Sequence, residues 1–222
     1  MKVMIVDDEE SILNLIRLQL ELEGFEVIMA QNGKQALEGL HDLPDMMILD
    51  LMLPDIDGFE LLRKVREKCP HIPIIMLTAK NQMNDKIIGL QLGADDYMTK
   101  PFNSIELSLR IKNLLKRIHQ VQEKTMSPLT AGSLTILETE RKVLVHDKEI
   151  KLTYREFNLL SLLVKHKRRV FSREELLESI WGFEFIGHTR AVDIMVQRLR
   201  KKLGNEGTKI KTIYGIGYKL EI

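Results

Sequence analysis

Residues 46–58 read MMILDLMLPDIDG, from Met46 to Gly58. Four apolar residues, Met46 to Leu49, end in one acid, Asp50. A loop with Pro54 and Gly58 follows, and the pattern predicts a helix from about Phe59. A short apolar run bounded by turn residues fits a strand buried on both faces. A lone carboxylate at such a strand end usually caps a turn. The other strand ends of the first half change that reading. Asp7 and Asp8 end the run Val3 to Val6, Thr78 ends the run Ile72 to Leu77, and Lys100 follows a short strand at Tyr97 and Met98. In an open parallel sheet, ligands bind outside the carboxyl ends of the strands. Acids, a hydroxyl and an amine gathered there describe one site for a divalent cation and a phosphoryl group.

Working outward, strands and helices alternate. Ile12 to Leu20 has helical spacing and Gly24 stops it. Phe25 to Ala30 is a strand, Lys34 to His41 a helix, Leu61 to Val65 the core of another. Ile87 to Leu92 is helical, closed by Gly93, and Ile105 to about Val121 is a long last helix. Such alternation predicts an α/β unit, a doubly wound five-stranded parallel sheet.

Mg²⁺, or Mn²⁺ in its place, takes oxygen ligands and keeps several waters, so one or two carboxylates suffice. Asp8 and Asp50 are the expected direct ligands, with the Met52 carbonyl completing the set and Asp7 holding a bound water. Asp50 is then the nucleophile, a carboxylate attacking phosphorus to give an acyl phosphate. Lys100 and the metal offset charge on the phosphoryl oxygens, and Thr78 donates its hydroxyl to one of them. Lys100-Pro101 is an X-Pro bond, for which a cis form is accessible. The DIDG of Asp55 to Gly58 invites a calcium-loop reading, but with Gly58 at position six the first and twelfth positions are Leu53 and Lys64, so two required acids are missing. A hydrolytic phosphatase of the haloacid dehalogenase type would use a second acid two residues after the nucleophile; here that residue is Met52, so the acyl phosphate is expected to persist.

Charge divides the chain. Residues 1–127 carry 15 Lys+Arg against 20 Asp+Glu, and residues 128–222 carry 18 against 12. An acidic half joined to a basic half suggests a cation-binding module and a polyanion-binding module. Apolar residues are 44% and charged residues 29%, which excludes a disordered chain. Cys69 is the only cysteine, so no intramolecular disulfide can form, as suits a reducing compartment. Two acids follow the first apolar run too soon for a signal peptide, and no apolar stretch approaches the roughly 20 residues that span a bilayer. The expected location is the cytoplasm, with no membrane partner.

Residues 121–127 read as a polar linker ahead of Ser127-Pro128. Beyond it, short β-rich runs lie at Leu134 to Leu137, Val143 to His146 and Ile150 to Leu152. Thr153 with Glu156, and Ser172 with Glu175, are capping-box signatures ahead of two apolar helical runs. Thr189 to Leu203 is a third helix, with Val192, Val196 or Met195, Leu199 and Leu203 on one stripe and Arg190, Ile194, Gln197, Arg198 and Lys201 on another. Lys209 to Ile213 and Tyr218 to Ile222 form a hairpin through Tyr214 to Gly217. Three helices followed by a hairpin are the order of a winged helix-turn-helix, an α+β domain whose third helix enters the major groove of double-stranded DNA. Arginine there can pair with guanine, while lysines meet phosphates.

Residues 1–120 resemble a two-component receiver domain of the CheY-like kind, through Asp7-Asp8, Asp50, Thr78-Ala79 and Lys100-Pro101-Phe102. Residues 128–222 resemble the effector of OmpR/PhoB-type regulators, through Leu152 to Phe157, Arg169 to Leu176, Trp181-Gly182, Val192-Asp193, Arg198 to Lys201 and Gly215 to Tyr218. The resemblance implies phosphorylation of Asp50 by a sensor histidine kinase with Mg²⁺, and a switch in which Thr78 and Tyr97 move together. It implies pairing of phosphorylated receivers into a homodimer across Lys86, Asp96, Glu106, Arg110 and Lys112, with Lys86 facing Glu106 and Asp96 facing Arg110. Gln91 stands where an acid often faces Lys112. It implies DNA contacts from the third helix and from Lys211, Thr212, Tyr214 and Lys219 of the hairpin, with RNA polymerase as a further partner. Tyr214 replaces an arginine common before Gly215, so minor-groove reading by the wing tip is not implied. The expectation is a transcription regulator, not an enzyme. Two alternatives stand beside it: a metal-dependent phosphohydrolase fused to an anion-binding module, opposed by Met52, and a regulator that dimerises without phosphorylation.

Overall fold

The computed structural model describes residues 1–79, 83–120, 127–182 and 189–222, the side chains of residues 83–86 and 116–120 excepted. The chain divides into two compact units, Met1–Ile118 and His119–Ile222. The linker expected at 121–127 lies outside the described residues except for its last position.

In the first unit β1 (Lys2–Val6), α1 (Glu10–Leu22), β2 (Glu26–Ala30), α2 (Gly33–Gly39), β3 (Met46–Leu49), α3 (Gly58–Lys68), β4 (Ile74–Thr78), α4 (Met83–Leu92), β5 (Asp96–Thr99) and α5 (Ser104–Gln120) alternate. The strands stand in the order β2-β1-β3-β4-β5, every pair parallel. Parallel strands covered by helices on both faces need apolar residues at successive positions. β3 and β4 meet that need: all their residues are buried. The strand order reverses between β1 and β3, and a crevice opens at that point. Two helix boundaries differ from the sequence reading. α2 ends at Gly39 and continues as a 3-10 turn over Leu40–Asp42. α4 begins at Met83, ahead of the apolar residues from Ile87 that marked it.

The second unit opens with an antiparallel sheet of β6 (Leu129–Ala131), β7 (Leu134–Leu137), β8 (Lys142–Val145) and β9 (Lys148–Glu149). Then come α6 (Tyr154–Lys165), β10 (Phe171–Ser172), α7 (Arg173–Trp181), α8 (Arg190–Leu203), a 3-10 turn at Gly204–Lys209, and the hairpin β11 (Ile210–Ile213) and β12 (Gly217–Leu220). β10 joins that hairpin in a three-stranded sheet of order β10-β12-β11. Both capping boxes form, Thr153 with Glu156 on α6 and Ser172 with Glu175 on α7. The strand expected at Ile150 to Leu152 is a correction. The chain reverses at His146 and Asp147, both in the left-handed region (φ 48 and 62), so Lys148–Glu149 pair with β8 instead. Leu152 then packs inward as the chain enters α6. Gly217 is required by contact: a Cβ there would lie 2.0 Å from the Phe171 carbonyl of β10.

Candidate functional site

Backbone hydrogen bonds carry the sheet ladder to the functional residues. Asp7 donates to the Ala30 carbonyl at 3.1 Å, Asp50 to Val6 at 2.9 Å and Lys100 to Thr78 at 2.8 Å. Each of these residues therefore stands at the carboxyl edge of its strand, beside the next. Ligand oxygens of Asp7, Asp8 and Asp50 lie within 4.8 Å of one another. Asp7 and Asp50 are buried, whereas Asp8 is exposed. From the end of β5, Lys100 Nζ reaches past β4 to the ends of β3 and β1, 2.6 Å from Asp50 Oδ2 and 2.8 Å from Asp7 Oδ2. The Lys100-Pro101 bond is cis. Thr78 is fully buried at the end of β4. Tyr97 of β5 pairs with Met76 and packs half-buried on the sheet core.

The loop after Asp50 is fixed by the residues that resembled a calcium loop. Asp55 accepts the Gly33 and Lys34 amides at 2.8 and 2.9 Å, capping α2. Those backbone bonds hold its carboxyl below the ordinary value. Asp57 accepts the Phe59 amide at 2.8 Å, capping α3. Gly58 sits so close that a Cβ would lie 2.5 Å from Leu51 Cα and 2.6 Å from the Asp50 carbonyl. Only glycine lets α3 start directly behind the Asp50 loop. The Met52 amide donates to Asp50 Oδ1 at 3.2 Å, and the Met52 side chain is exposed.

Burial pushes the Asp7 carboxyl above its ordinary value, and Lys100 only partly offsets this. Burial works against the Lys100 ammonium too, but Asp50 and Asp7 outweigh it and hold it protonated well into the alkaline range. Asp7 Oδ2 is buried with no hydrogen-bond partner of good geometry beyond the ammonium facing it. An all-oxygen donor set, two buried carboxylates and an under-satisfied oxygen fit a hard divalent cation. Glu9 also approaches Lys100, at 3.4 Å, from the exposed rim. The sequence placed it only in an acidic run after β1.

The dimer-face residues meet partners within the chain. Arg110 pairs with Asp96 at 3.0 Å and with Glu106 at 2.7 Å, and Lys112 reaches Glu23 at 3.3 Å. The Asp96–Arg110 pair expected across a dimer is thus made within the single chain as well, where α5 brings Arg110 to β5. The Lys86 side chain lies outside the described residues.

In the second unit Arg190, Gln197, Lys201 and Lys211 are exposed, and Tyr214 is 93% exposed at the hairpin tip. Thr212 and Lys219 are half-buried; Lys219 pairs with Glu221 at 2.8 Å. One assignment is corrected, and a second residue is found paired. Ile194 is buried at 7% exposure and belongs to the core face of α8. Arg198 Nη2 lies 2.8 Å from Glu156 Oε1, so its charge is shared with a buried acid of α6. Arg200 also turns inward, donating to the Ile210 carbonyl and to Thr212 Oγ1, and ties α8 to β11. Among the described residues, no helix is long and apolar enough to cross a membrane.

A parallel five-stranded unit with an acid cluster at its switch point, followed by a winged-helix unit, defines a response regulator with a receiver domain and a DNA-binding domain. The chain belongs to the OmpR/PhoB-type family: residues 3–112 match the response regulator receiver domain, and residues 147–220 match the family described as transcriptional regulatory protein, C terminal. It is 42% identical to the alkaline phosphatase synthesis transcriptional regulatory protein PhoP of Bacillus subtilis, over 99% of this chain and 96% of that one. It is 40% identical to the transcriptional regulatory protein TrcR of Mycobacterium tuberculosis, over 99% and 86%. Among solved structures, response regulator DrrB, a Thermotoga maritima OmpR/PhoB homolog, is 33% identical over 100% of this chain and 99% of that one, with a TM-score of 0.53. A RitR mutant matches at 27% identity and a TM-score of 0.82, over 99% and 98%. The family is one of transcriptional regulators, not of enzymes.

Proposed function

We propose that the chain is a phosphorylation-dependent transcription regulator of a two-component system, with a receiver over 1–120, a linker over 121–127 and an effector over 128–222. The observation that carries this reading is Asp50 beside Asp7, Asp8 and Lys100 at the carboxyl edge of the sheet. Asp50 attacks the phosphorus of a phosphohistidine on a sensor kinase; the new O–P bond forms as the P–N bond to the kinase breaks. Lys100, held by Asp50 and Asp7 beforehand, exchanges a carboxylate for a phosphoryl oxygen and offsets its charge. Thr78 donates its hydroxyl to another such oxygen, and Tyr97 follows that movement as the switch. Asp7, Asp8, Asp50 and the Met52 carbonyl would hold Mg²⁺ or Mn²⁺, which supplies further positive charge to the phosphoryl oxygens. Met52 cannot transfer a proton, which favours a lasting acyl phosphate.

Phosphorylation favours a homodimer through Lys86, Asp96, Glu106, Arg110 and Lys112, in which the in-chain pairs of Arg110 are shared with the partner. The exposed Arg190, Gln197 and Lys201 of α8 face the major groove of double-stranded DNA, and Lys211, Thr212, Tyr214 and Lys219 face the backbone beside it. Such a regulator works in the cytoplasm, where the DNA and RNA polymerase are. Sedimentation and DNA binding with and without a small phospho-donor test this reading, with Asp50→Ala as control. Mass and affinity should rise together in the wild type only; a rise in both proteins, or in neither, would reject it.

A further inference from the structure

Glu156, in the first turn of α6, is fully buried and faces α8. One oxygen accepts the Thr153 amide at 2.8 Å and closes the α6 capping box. The same carboxylate meets two α8 cations: Arg198 Nη2 lies 2.8 Å from Oε1 and Lys202 Nζ 2.7 Å from Oε2. Burial opposes the charge, but Arg198 and Lys202 outweigh it and keep the carboxyl below its ordinary value. A capping box needs an acceptor at this position, and glutamine serves as well as glutamate. A buried ionised pair contributes little net stability over a neutral replacement. The cap therefore does not account for the charge.

The charge does act on α8. Five cations lie on this helix: Arg190, Arg198, Arg200, Lys201 and Lys202. Arg200 is drawn to β11, and Glu156 holds two of the others. Arg190 and Lys201 remain exposed. Resting on the DNA-facing role proposed for α8, we infer that Glu156 is a positioning residue that withholds Arg198 and Lys202 from DNA phosphates, so that the share of sequence-independent attraction that α8 supplies rests on Arg190 and Lys201. Weak non-specific binding raises the ratio by which a regulator prefers its own site. A glutamate that merely tied α6 to α8 would alter stability and leave the electrostatics of DNA binding alone.

The test measures binding of the full chain to a random-sequence duplex at several salt concentrations. The logarithm of affinity falls with the logarithm of salt by about 0.9 per phosphate contact. Lys201→Ala should flatten that slope by about this amount. Lys202→Met should leave it unchanged, because Lys202 is already committed to Glu156. Glu156→Gln, which keeps the cap, should steepen it by about 0.9 for each cation released. Equal flattening by Lys202→Met and Lys201→Ala overturns the inference, as does a folded Glu156→Gln with the wild-type slope. Should Glu156→Gln fail to fold, the Lys202→Met arm decides alone. An unchanged slope in Lys201→Ala refutes the DNA-facing role of α8 itself, and with it the inference.

Discussion

Replacing Lys100 by alanine removes an ammonium shared by two buried carboxylates. Its Nζ lies 2.6 Å from Asp50 and 2.8 Å from Asp7, and the three side chains are 12%, 5% and 2% exposed. Removing one partner of a buried pair costs about 3–5 kcal/mol, since the charge left behind stays desolvated. The site opens to solvent at Asp8, so the expected loss is at the low end, about 3 kcal/mol. The pH dependence fixes the cause. Burial already raises the Asp7 carboxyl, and Lys100, together with the Glu9 amide, opposes this; without Lys100 it rises further. A carboxyl raised on folding contributes stability that is present at acid pH and lost as pH rises through its folded pKa. The deficit of the variant should therefore be largest at neutral pH and shrink on acidification. Added Mg²⁺ should recover part of it by restoring positive charge, and chelation should remove that gain. The only tryptophan, Trp181, lies in the second unit, so its fluorescence does not follow the receiver. Urea unfolding read from exchange protection of β1 and β3 amides does. A loss below about 1 kcal/mol, against the 3–5 expected of a broken buried pair, or a deficit that grows toward acid pH, would refute the reasoning.

Gly58→Ala should destabilise the receiver by about 1–3 kcal/mol, because its Cβ meets backbone that cannot yield; a loss within error of zero in the same unfolding assay contradicts the close approach. Arg66→Ala should cost about 3–5 kcal/mol, since Arg66 reaches the Gly93 carbonyl at 3.0 Å and the buried Asp95 at 2.6 Å; Asp95→Asn in the same background should recover part of that, and no recovery would show that the charge is not the cause. Ser172→Ala removes the α7 cap and should cost about 1 kcal/mol. Trp181 fluorescence reads this loss, and an unchanged midpoint argues that the cap contributes nothing.

The receiver was legible because its signals are local or periodic. β3 announces itself as four apolar residues ending in Asp50, and the capping boxes at Thr153 and Ser172 are read three residues at a time. β6 and β10 were missed because strands of three and two residues carry no period. β9 was misplaced because its register follows from left-handed His146 and Asp147, which composition does not signal. Helical spacing put Ile194 and Arg198 on a polar face. Ile194 lies at the edge of the apolar stripe and is buried, and the acid that holds Arg198 sits on another helix. Spacing cannot see across helices. Asp96 and Arg110 suit a pair equally well within a chain or between chains, and residue spacing alone does not show that α5 brings Arg110 to Asp96 of β5 in the same chain.

The most direct measurement is intact mass after incubation with Mg²⁺ and a small phospho-donor, wild type beside Asp50→Ala. The account predicts the gain of a single phosphoryl group in the wild type and none in the variant. Equal gain in both proteins, or none in a wild type shown separately to bind Mg²⁺, would contradict Asp50 as the phosphoacceptor.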